Sequence, residues 1–308
     1  MQPIRLGLAG YGKIAQDQHL PAVRANPAFE LVAVATLGAP CPGVANFGSL
    51  GELLAQGPQV DAIAFCTPPQ SRYALVQQAL AAGKHVLLEK PPCASVGEAK
   101  ALVEAAAQHG VSGLFAWHSR FAPGVEVARE WLAGMTLQQV HIQWKEQVRK
   151  YHPGQDWIWQ TGGLGVFDPG INALSIATAL LPAPLLMQRA ELVMPANRLA
   201  PIAAQLEMRA GTVQVGAEFN FDQPIDDELW RIEFRCTEGT LRLDKGGAEV
   251  AVDGVRQWLA DEGEYTLLYR HFERLIQNRA SDMDLQPLQV VADAFLAATR
   301  QVGPAFEW

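Results

Sequence analysis

The feature that most limits the possible folds is a regular alternation of short apolar runs with helical stretches in the first 118 residues. The apolar runs occupy residues 4–9, 29–36, 62–66, 85–88 and 111–117. Continuous apolar runs of this length predict strands that are buried on both faces, and intervening helices make successive strands parallel. The sequence therefore predicts an α/β domain with a doubly wound parallel sheet at residues 1–118.

The turn after the first predicted strand carries the pattern G-x-G-x-x-A, formed by Gly10, Gly12 and Ala15. Gly10 permits a tight turn, Gly12 lets the backbone approach a pyrophosphate, and Ala15 is small enough for a helix to pack on the strand. The helix start, at Lys13 and Ile14, then offers N–H groups to the phosphates. The pattern predicts a Rossmann domain that binds a dinucleotide; a tight turn without a ligand is the alternative.

The ends of the next two predicted strands bear on the choice of cofactor. An NAD-selective site usually has Asp or Glu at the end of the second strand, where it binds the ribose hydroxyls. This chain has Thr36 there, with neither an acid nor an arginine that could bind a 2′-phosphate. We therefore predict the use of both NAD and NADP. The third strand ends at Cys66, Thr67 and Pro68, which should also contact the cofactor.

Lys90 stands directly after a buried strand and directly before two prolines. Pro91 and Pro92 cannot continue the strand, and they restrict the backbone to extended or turn conformations. We expect Lys90, with Glu89 before it, at the carboxyl edge of the sheet, where open α/β sheets bind ligands. A solvent-exposed lysine at a strand end is the alternative.

After residue 118 the pattern changes: beyond predicted helices at 123–132 and 173–181, the later strands follow one another without intervening helices, which predicts a mainly antiparallel sheet. These runs are at 140–148, 189–194, 203–209, 212–221, 230–236 and 240–243. We predict that residues 119–308 form an α+β domain around a large open sheet, with a last helix at 286–300 that packs back on the protein. Because such a sheet must cover its exposed face, we predict a homo-oligomer formed through it.

Charge and cysteine usage exclude several classes of partner. The net charge is −8, and no run of Lys or Arg exceeds two residues, which disfavours nucleic acid and anionic membranes and favours a small neutral substrate. The four cysteines are scattered without a C-x-x-C pair, which argues against a zinc site and a disulfide framework. We predict a cytoplasmic protein without a metal, since the sequence has no signal-peptide pattern and no run of membrane-spanning length.

The motif Glu89-Lys90-Pro91, the glycine pattern and the two-domain layout together resemble the Gfo/Idh/MocA oxidoreductase family. Further stretches resemble the bacterial L-arabinose/D-galactose 1-dehydrogenases within that family. These stretches are residues 117–120, 144–146, 152–155, 157–159 and 162–175. The resemblance implies oxidation of an aldopyranose at C1 to its aldonolactone, with the hydride passing to NAD or NADP.

One position departs from many members of the family. Where they have Asp-x-x-x-His, this chain has Asp168 and Asn172, and the 1-dehydrogenases that it resembles share the Asn. Asn cannot shuttle a proton near neutral pH, although it can bind a sugar hydroxyl. If the helix already runs from Pro169, a spacing of four places Asp168 and Asn172 on one face. Asp168 or Lys90 would then accept the anomeric proton; an N-cap role is the alternative for Asp168.

A group of aromatic and polar residues follows the first domain. Five of the eight Trp lie between residues 117 and 159. We predict that Trp157 faces the apolar side of a sugar, while His118, Glu146 and His152 bind its hydroxyls. For any single Trp, a place in the core is the alternative.

Two other functions are compatible with these residues. One is another dehydrogenase of the same family, which acts on an inositol, a dihydrodiol or an imine. The other is a non-catalytic regulator that binds NAD(P). Intact Lys90 and Asp168 disfavour the regulator, because a sensor has no need of a base beside the nicotinamide.

Overall fold

The structure, a computed structural model, describes residues 2–259 and 262–308. The chain divides into two compact units. The first combines Met1–His118 with Gly263–Leu285, and the second combines Ser119–Glu262 with Gln286–Trp308. The first segment ends at the predicted boundary. We predicted that residues 263–285 belong to the second domain, but these residues pack with the first unit.

The first unit contains a six-stranded sheet in which every neighbouring pair is parallel. Its strands are β1 (Ile4–Ala9), β2 (Phe29–Ala35), β3 (Ala45–Phe47), β4 (Ala62–Phe65), β5 (His85–Glu89) and β6 (Gly113–Ala116). Its helices before residue 118 are α1 (Leu20–Ala25), α2 (Leu50–Gln56), α3 (Pro69–Ala81) and α4 (Val96–His109). The order β3-β2-β1-β4-β5-β6 reverses direction between β1 and β4, and ligands of doubly wound sheets bind at this switch point.

The second unit contains a nine-stranded sheet that is mostly antiparallel, as predicted. Its strands are β7 (Leu137–Lys145), β8 (Leu185–Pro195), β9 (Ala203–Ala210), β10 (Val213–Asn220), β11 (Leu229–Cys236), β12 (Thr240–Asp244), β13 (Glu249–Val252), β14 (Val255–Arg256) and β15 (Ala298–Gly303). The pairs β7–β10 and β8–β15 are parallel. Helices α5 (Pro123–Leu132), α6 (Val148–Tyr151) and α7 (Phe167–Leu180) belong to this unit.

Two helices complete the chain. Helix α8 (Glu264–Asn278) belongs to the first unit, where Tyr269 and Phe272 pack on Phe29 of β2. Helix α9 (Gln286–Ala297) belongs to the second unit, where Phe295 contacts Phe167 of α7. The predicted helix 286–300 ends three residues early, because residues 298–303 pair with β8 as strand β15. None of the helices in the described residues is long and apolar enough to span a membrane.

Candidate active site

The turn after β1 has the geometry that the glycine pattern predicts. Gly10 has a φ of +91°, and a Cβ there would lie 3.0 Å from the backbones of both Cys66 and Thr67. Only glycine therefore fits without strain. Gly12, by contrast, borders open space, with no atom within 4 Å of the place where a Cβ would stand. A phosphate group can approach its backbone closely.

The helix after this turn contains a π-helical segment, Ala15–His19, before α1 begins. Such segments occur frequently at functional sites. Ala15 is fully buried, as its predicted packing role requires. Lys13 is exposed and pairs with Asp17, and Ile14 is half-buried. The predicted phosphate-binding residues thus remain at the surface of the turn.

The end of β4 lies beside the turn that is predicted to bind the dinucleotide. Cys66 donates its N–H to the carbonyl of Ala9 at 2.8 Å, which places Cys66 and Thr67 beside Gly10. The Thr67 hydroxyl oxygen is buried and has no hydrogen-bond partner within the described residues. Buried polar groups are normally satisfied, so a polar group of a ligand fits here. Pro68 follows, directly before α3.

The end of β2 carries Thr36, the predicted selectivity position. Its N–H donates to the carbonyl of Phe47 at 2.9 Å, and its hydroxyl accepts the N–H of Gly38 at 3.1 Å. Leu37 beside it is 97% exposed. This edge therefore presents a hydroxyl and an apolar side chain, without a charged group at either position.

A buried arginine that the sequence analysis missed joins the ends of β4 and β5. Arg72 of α3 is 2% exposed and donates hydrogen bonds to the carbonyl oxygens of Thr67, Glu89 and Pro91. Charge-assisted hydrogen bonds of this kind are about twice as strong as neutral ones. Arg72 thus fixes the backbone on both sides of Lys90. The only local signal was a cation in the first turn of a helix that begins at the second of two prolines.

Glu89 lies inside the protein rather than at a cofactor surface. It is 3% exposed, and its carboxylate accepts hydrogen bonds from Tyr265 Oη at 2.6 Å and from the Lys90 N–H at 2.9 Å. His19 Nε2 lies 2.9 Å from the same carboxylate. Burial alone would raise the pKa of Glu89, but the hydrogen bonds from His19 and Tyr265 lower it to about 2. We predicted that Glu89 contacts the cofactor; the structure instead places its side chain inside the protein.

His19 is the second half of this buried cluster. Its Nδ1 lies 2.8 Å from the hydroxyl of Tyr269, and its ring is fully buried. Burial would lower the pKa of His19, but Cys66, Tyr269 and Glu89 raise it well above its usual value. An imidazolium at this position can donate to Glu89 and Tyr269 at once. The sequence analysis did not predict this buried cluster, because both of its tyrosines come from α8, which is far from His19 and Glu89 in the sequence.

Lys90 and His118 both lie in the first unit. Lys90 directly follows β5 and is half-buried, with its backbone held by Glu89. His118 stacks on Tyr265 with ring centroids 5.2 Å apart, and its Nδ1 lies 2.5 Å from Glu264. The His118 ring is therefore packed against α8, a contact that the sequence analysis did not foresee.

Helix α7 places Asp168 and Asn172 on one face. The helix begins at Phe167 with Val166 as its cap, so Asp168 lies within the first turn and the N-cap alternative is wrong. The spacing of four therefore aligns the two side chains. Asp168 is 1% exposed, whereas Asn172 is half-buried.

His152 lies beside the Asp168 carboxylate. Its Nε2 lies 3.4 Å from Asp168 Oδ2, and its ring packs edge-on against Phe221 with centroids 5.7 Å apart. Nδ1 lies 3.4 Å from Gln155 Oε1. The structure thus brings together two of the predicted substrate residues, a carboxylate and an imidazole, in the second unit.

The other two predicted sugar-binding residues, Glu146 and Trp157, also belong to the second unit. Glu146, directly after β7, is 6% exposed and accepts a hydrogen bond from Trp230 Nε1 at 2.8 Å. Trp157 is half-buried in a short 3-10 turn, Asp156–Trp159. The loop after this turn packs so closely on it that a Cβ on Gly163 would collide with the carbonyl oxygens of Trp157 and Ile158.

Comparison with known proteins assigns the family. Residues 4–116 match the model of Gfo/Idh/MocA, an oxidoreductase family with an NAD-binding Rossmann fold. Over 307 residues the chain is 62% identical to a galactose 1-dehydrogenase of Pseudomonas fluorescens, with 99% of both chains covered. The chain belongs to the Gfo/Idh/MocA oxidoreductase family. This membership confirms the predicted α/β fold and the predicted class of enzyme.

Two solved structures are similar to this chain along nearly its whole length. A crystal structure of D-galactose-1-dehydrogenase from Rhizobium etli is similar with a TM-score of 0.95 at 45% identity, covering 100% of this chain and 99% of that one. A 3-ketoreductase from Actinomadura kijaniata in complex with NADP and TDP-benzene has a TM-score of 0.85 at 20% identity, covering 98% and 100%. The second likeness shows the fold alone.

Proposed function

We propose that the protein is an NAD(P)-dependent aldose 1-dehydrogenase that oxidises D-galactose, and also L-arabinose, at C1 to the aldonolactone. The observation that carries this proposal is the 62% identity to a galactose 1-dehydrogenase over 99% of both chains. The intact Lys90 and Asp168 support an enzyme over a regulator, because both supply groups that the oxidation requires.

The reaction removes a proton from the anomeric hydroxyl and a hydride from C1, so that the C1–O single bond becomes a carbonyl. Bound NAD or NADP supplies the acceptor for the hydride. In this proposal Asp168 or Lys90 accepts the proton, and Asn172 hydrogen-bonds the same oxygen. The face of α7 that Asp168 and Asn172 share supports a common ligand for both.

His152 is proposed to orient the sugar beside Asp168. Its imidazole lies 3.4 Å from that carboxylate and is 20% exposed, so it can bind a sugar hydroxyl while it fixes the carboxylate. Glu146 and Trp157 are proposed to bind the remainder of the ring, and His118 a further hydroxyl. Since L-arabinose and D-galactose differ only at the exocyclic carbon, a pocket that is open there accepts both.

The use of both cofactors is proposed from the end of β2. Thr36 and Leu37 place no carboxylate there to repel a 2′-phosphate and no guanidinium to bind one. The buried Thr67 hydroxyl and the open space at Gly12 support a dinucleotide at this edge. The residues proposed to hold it are those of the turn, Gly10 to Ala15, together with Thr36, Cys66, Thr67, Pro68 and Lys90.

Two further properties are proposed. The four cysteines are all free, which supports a reducing compartment such as the cytoplasm. The second sheet exposes alternate polar side chains, such as Gln205, Glu207 and Arg209 of β9, on one face. This open face supports the proposal of a homo-oligomer that pairs through the sheet.

The decisive experiment follows the absorbance of reduced cofactor with D-galactose, L-arabinose, D-glucose and an inositol, each with NAD and NADP. We expect fast turnover with the first two sugars, and similar rates with both cofactors. Turnover with the inositol alone would favour another dehydrogenase of the family. Tight cofactor binding without turnover of any polyol or sugar would favour the regulator.

Substitution of the proposed acid–base residues tests the assignment. Lys90→Ala or Asp168→Ala should lower kcat by about 10²–10⁴-fold, since each removes a group that acts on the proton, and Asp168→Ala should leave cofactor binding intact. Lys100→Ala and Asp226→Ala, at exposed positions, are the matched controls. Near-normal kcat in both site variants would overturn the site as proposed.

A further inference from the structure

Residues 304–308, here called the tail segment, follow β15 and fold onto the second unit. Phe306 at its centre is 3% exposed. The amide of Asn197 holds its backbone from both sides: Nδ2 donates to the Phe306 carbonyl at 3.0 Å, and Oδ1 accepts the Phe306 N–H at 2.9 Å. The segment is therefore docked through its main chain as well as its side chains.

Arg149 and the indole of Trp308 fasten the tail segment to residues 149–159. The guanidinium carbon of Arg149 lies 4.5 Å from the centre of the Phe306 ring, and Arg149 Nη2 donates to the Glu307 carbonyl at 2.5 Å. Trp308 Nε1 donates to Asp156 Oδ1 at 2.7 Å. Asp156 is the first residue of the 3-10 turn that carries Trp157. Residues 149–159 are thus tied to the tail segment at Arg149 and at Asp156.

A continuous series of contacts runs from the tail segment to the proposed sugar site. The ring of Phe306 lies 4.9 Å from that of Trp159, and Trp159 lies 5.9 Å from Phe221. Phe221 packs against His152 at 5.7 Å. His152 in turn lies 3.4 Å from the carboxylate of Asp168. Every member of this series belongs to the second unit.

The stretch between α6 and α7 has little structure of its own to hold it. Apart from the four-residue turn Asp156–Trp159, it contains no helix or strand, and it includes Gly154, Gly162, Gly163 and Gly165. Such a segment loses conformational freedom when a ligand orders it, and this loss weakens binding. Contacts that order the stretch before the ligand binds remove this entropic cost of binding.

We propose that the tail segment is a positioning element of the sugar site. Phe306 and Trp308 hold residues 149–159 so that His152 and Trp157 are already placed when the sugar arrives. Neither residue touches the reacting atoms. This inference rests on the proposed function, because it takes His152 and Asp168 as the sugar-binding pair.

The test compares Phe306→Ala and Trp308→Leu with the wild type in D-galactose oxidation. We expect KM for the sugar to rise roughly 10-fold or more, because the sugar must then order its own ligands. The dissociation constant of the cofactor, titrated without sugar, and kcat at saturating sugar should change less than 3-fold, about 0.6 kcal/mol or less. Phe306→Tyr, which keeps the ring, should restore the wild-type KM.

The matched control is Trp258→Leu, which removes an 85% exposed indole from the same unit. Hydrogen exchange of residues 149–159 should be faster in Phe306→Ala and unchanged in the control. An unchanged KM in both tail variants, with an active wild type, would overturn the tail proposal alone. A parallel loss of cofactor affinity, kcat and thermal stability would also overturn it, since that pattern indicates general unfolding. A wild type inactive with every aldose would instead overturn the proposed function, and this inference with it.

Discussion

The buried carboxylate of Glu89 makes acid stability the sharpest test of the first unit. Glu89→Gln removes the charge but keeps the shape of the side chain. In the wild type this carboxylate is 3% exposed and bound by His19, Tyr265 and the Lys90 N–H. The substitution leaves the fully buried His19 beside a neutral partner, and unpaired buried charges are strongly destabilising.

The magnitude follows from the two pKa values of Glu89. Its pKa in the folded protein is about 2, against an ordinary value of 4.5. At about 1.4 kcal/mol per pKa unit, this difference corresponds to about 3 kcal/mol of folding free energy at neutral pH. Because the folded pKa is lowered, this stability is present above the ordinary pKa and is lost as pH falls towards the folded value. Roughly 2 kcal/mol of it should disappear between about pH 5 and about pH 3.

The assay is urea denaturation at a series of pH values. Glu89→Gln should be less stable than the wild type by about 3 kcal/mol at neutral pH, and the difference should shrink by roughly 2 kcal/mol towards pH 3. Glu104→Gln, an exposed position on α4, is the matched control and should follow the wild-type curve. If the difference between Glu89→Gln and the wild type were constant across this pH range, the pKa of Glu89 would be the same in the folded and unfolded protein, and the reasoning would fail.

Two further changes test the dinucleotide site. Gly10→Ala should weaken cofactor binding about 10-fold or more, because its Cβ would press on the backbones of Cys66 and Thr67 at a φ of +91°. A fluorescence titration with NADP measures the dissociation constant, and a wild-type value in the variant would contradict this prediction. Thr36→Asp should raise the ratio of kcat/KM with NAD to kcat/KM with NADP by roughly 10- to 100-fold, because a carboxylate binds the ribose hydroxyls and repels a 2′-phosphate. An unchanged ratio would show that Thr36 does not face the ribose.

The sequence predicted the parts of the fold whose signals are local. The apolar runs, the glycine turn and the strand before Lys90 each occupy a few consecutive residues, so period and turn chemistry suffice to place them. The same holds for the face that Asp168 shares with Asn172, which depends only on where α7 begins.

What the sequence did not predict depends on contacts between distant residues. His19 and Tyr269 are 250 positions apart, and no local pattern links them. The amphipathic pattern of α8 indicates a buried face, but it does not say which sheet that face covers. Residues 298–300 continue a helical pattern, yet pairing with β8 makes them a strand, because tertiary contacts override local propensity.

The placement of α8 also determines the order in which the protein can be completed during synthesis. The chain passes between the two units three times, after His118, after Glu262 and after Leu285. When only residues 1–118 have emerged from the ribosome, every strand of the first sheet has been made. Helix α8, which covers Phe29 and carries the Tyr265 that binds Glu89, has not yet been made. The first unit therefore cannot complete its packing until almost the whole polypeptide has been made, and part of its apolar surface stays exposed until then. Early termination of synthesis leaves a fragment that is prone to aggregate.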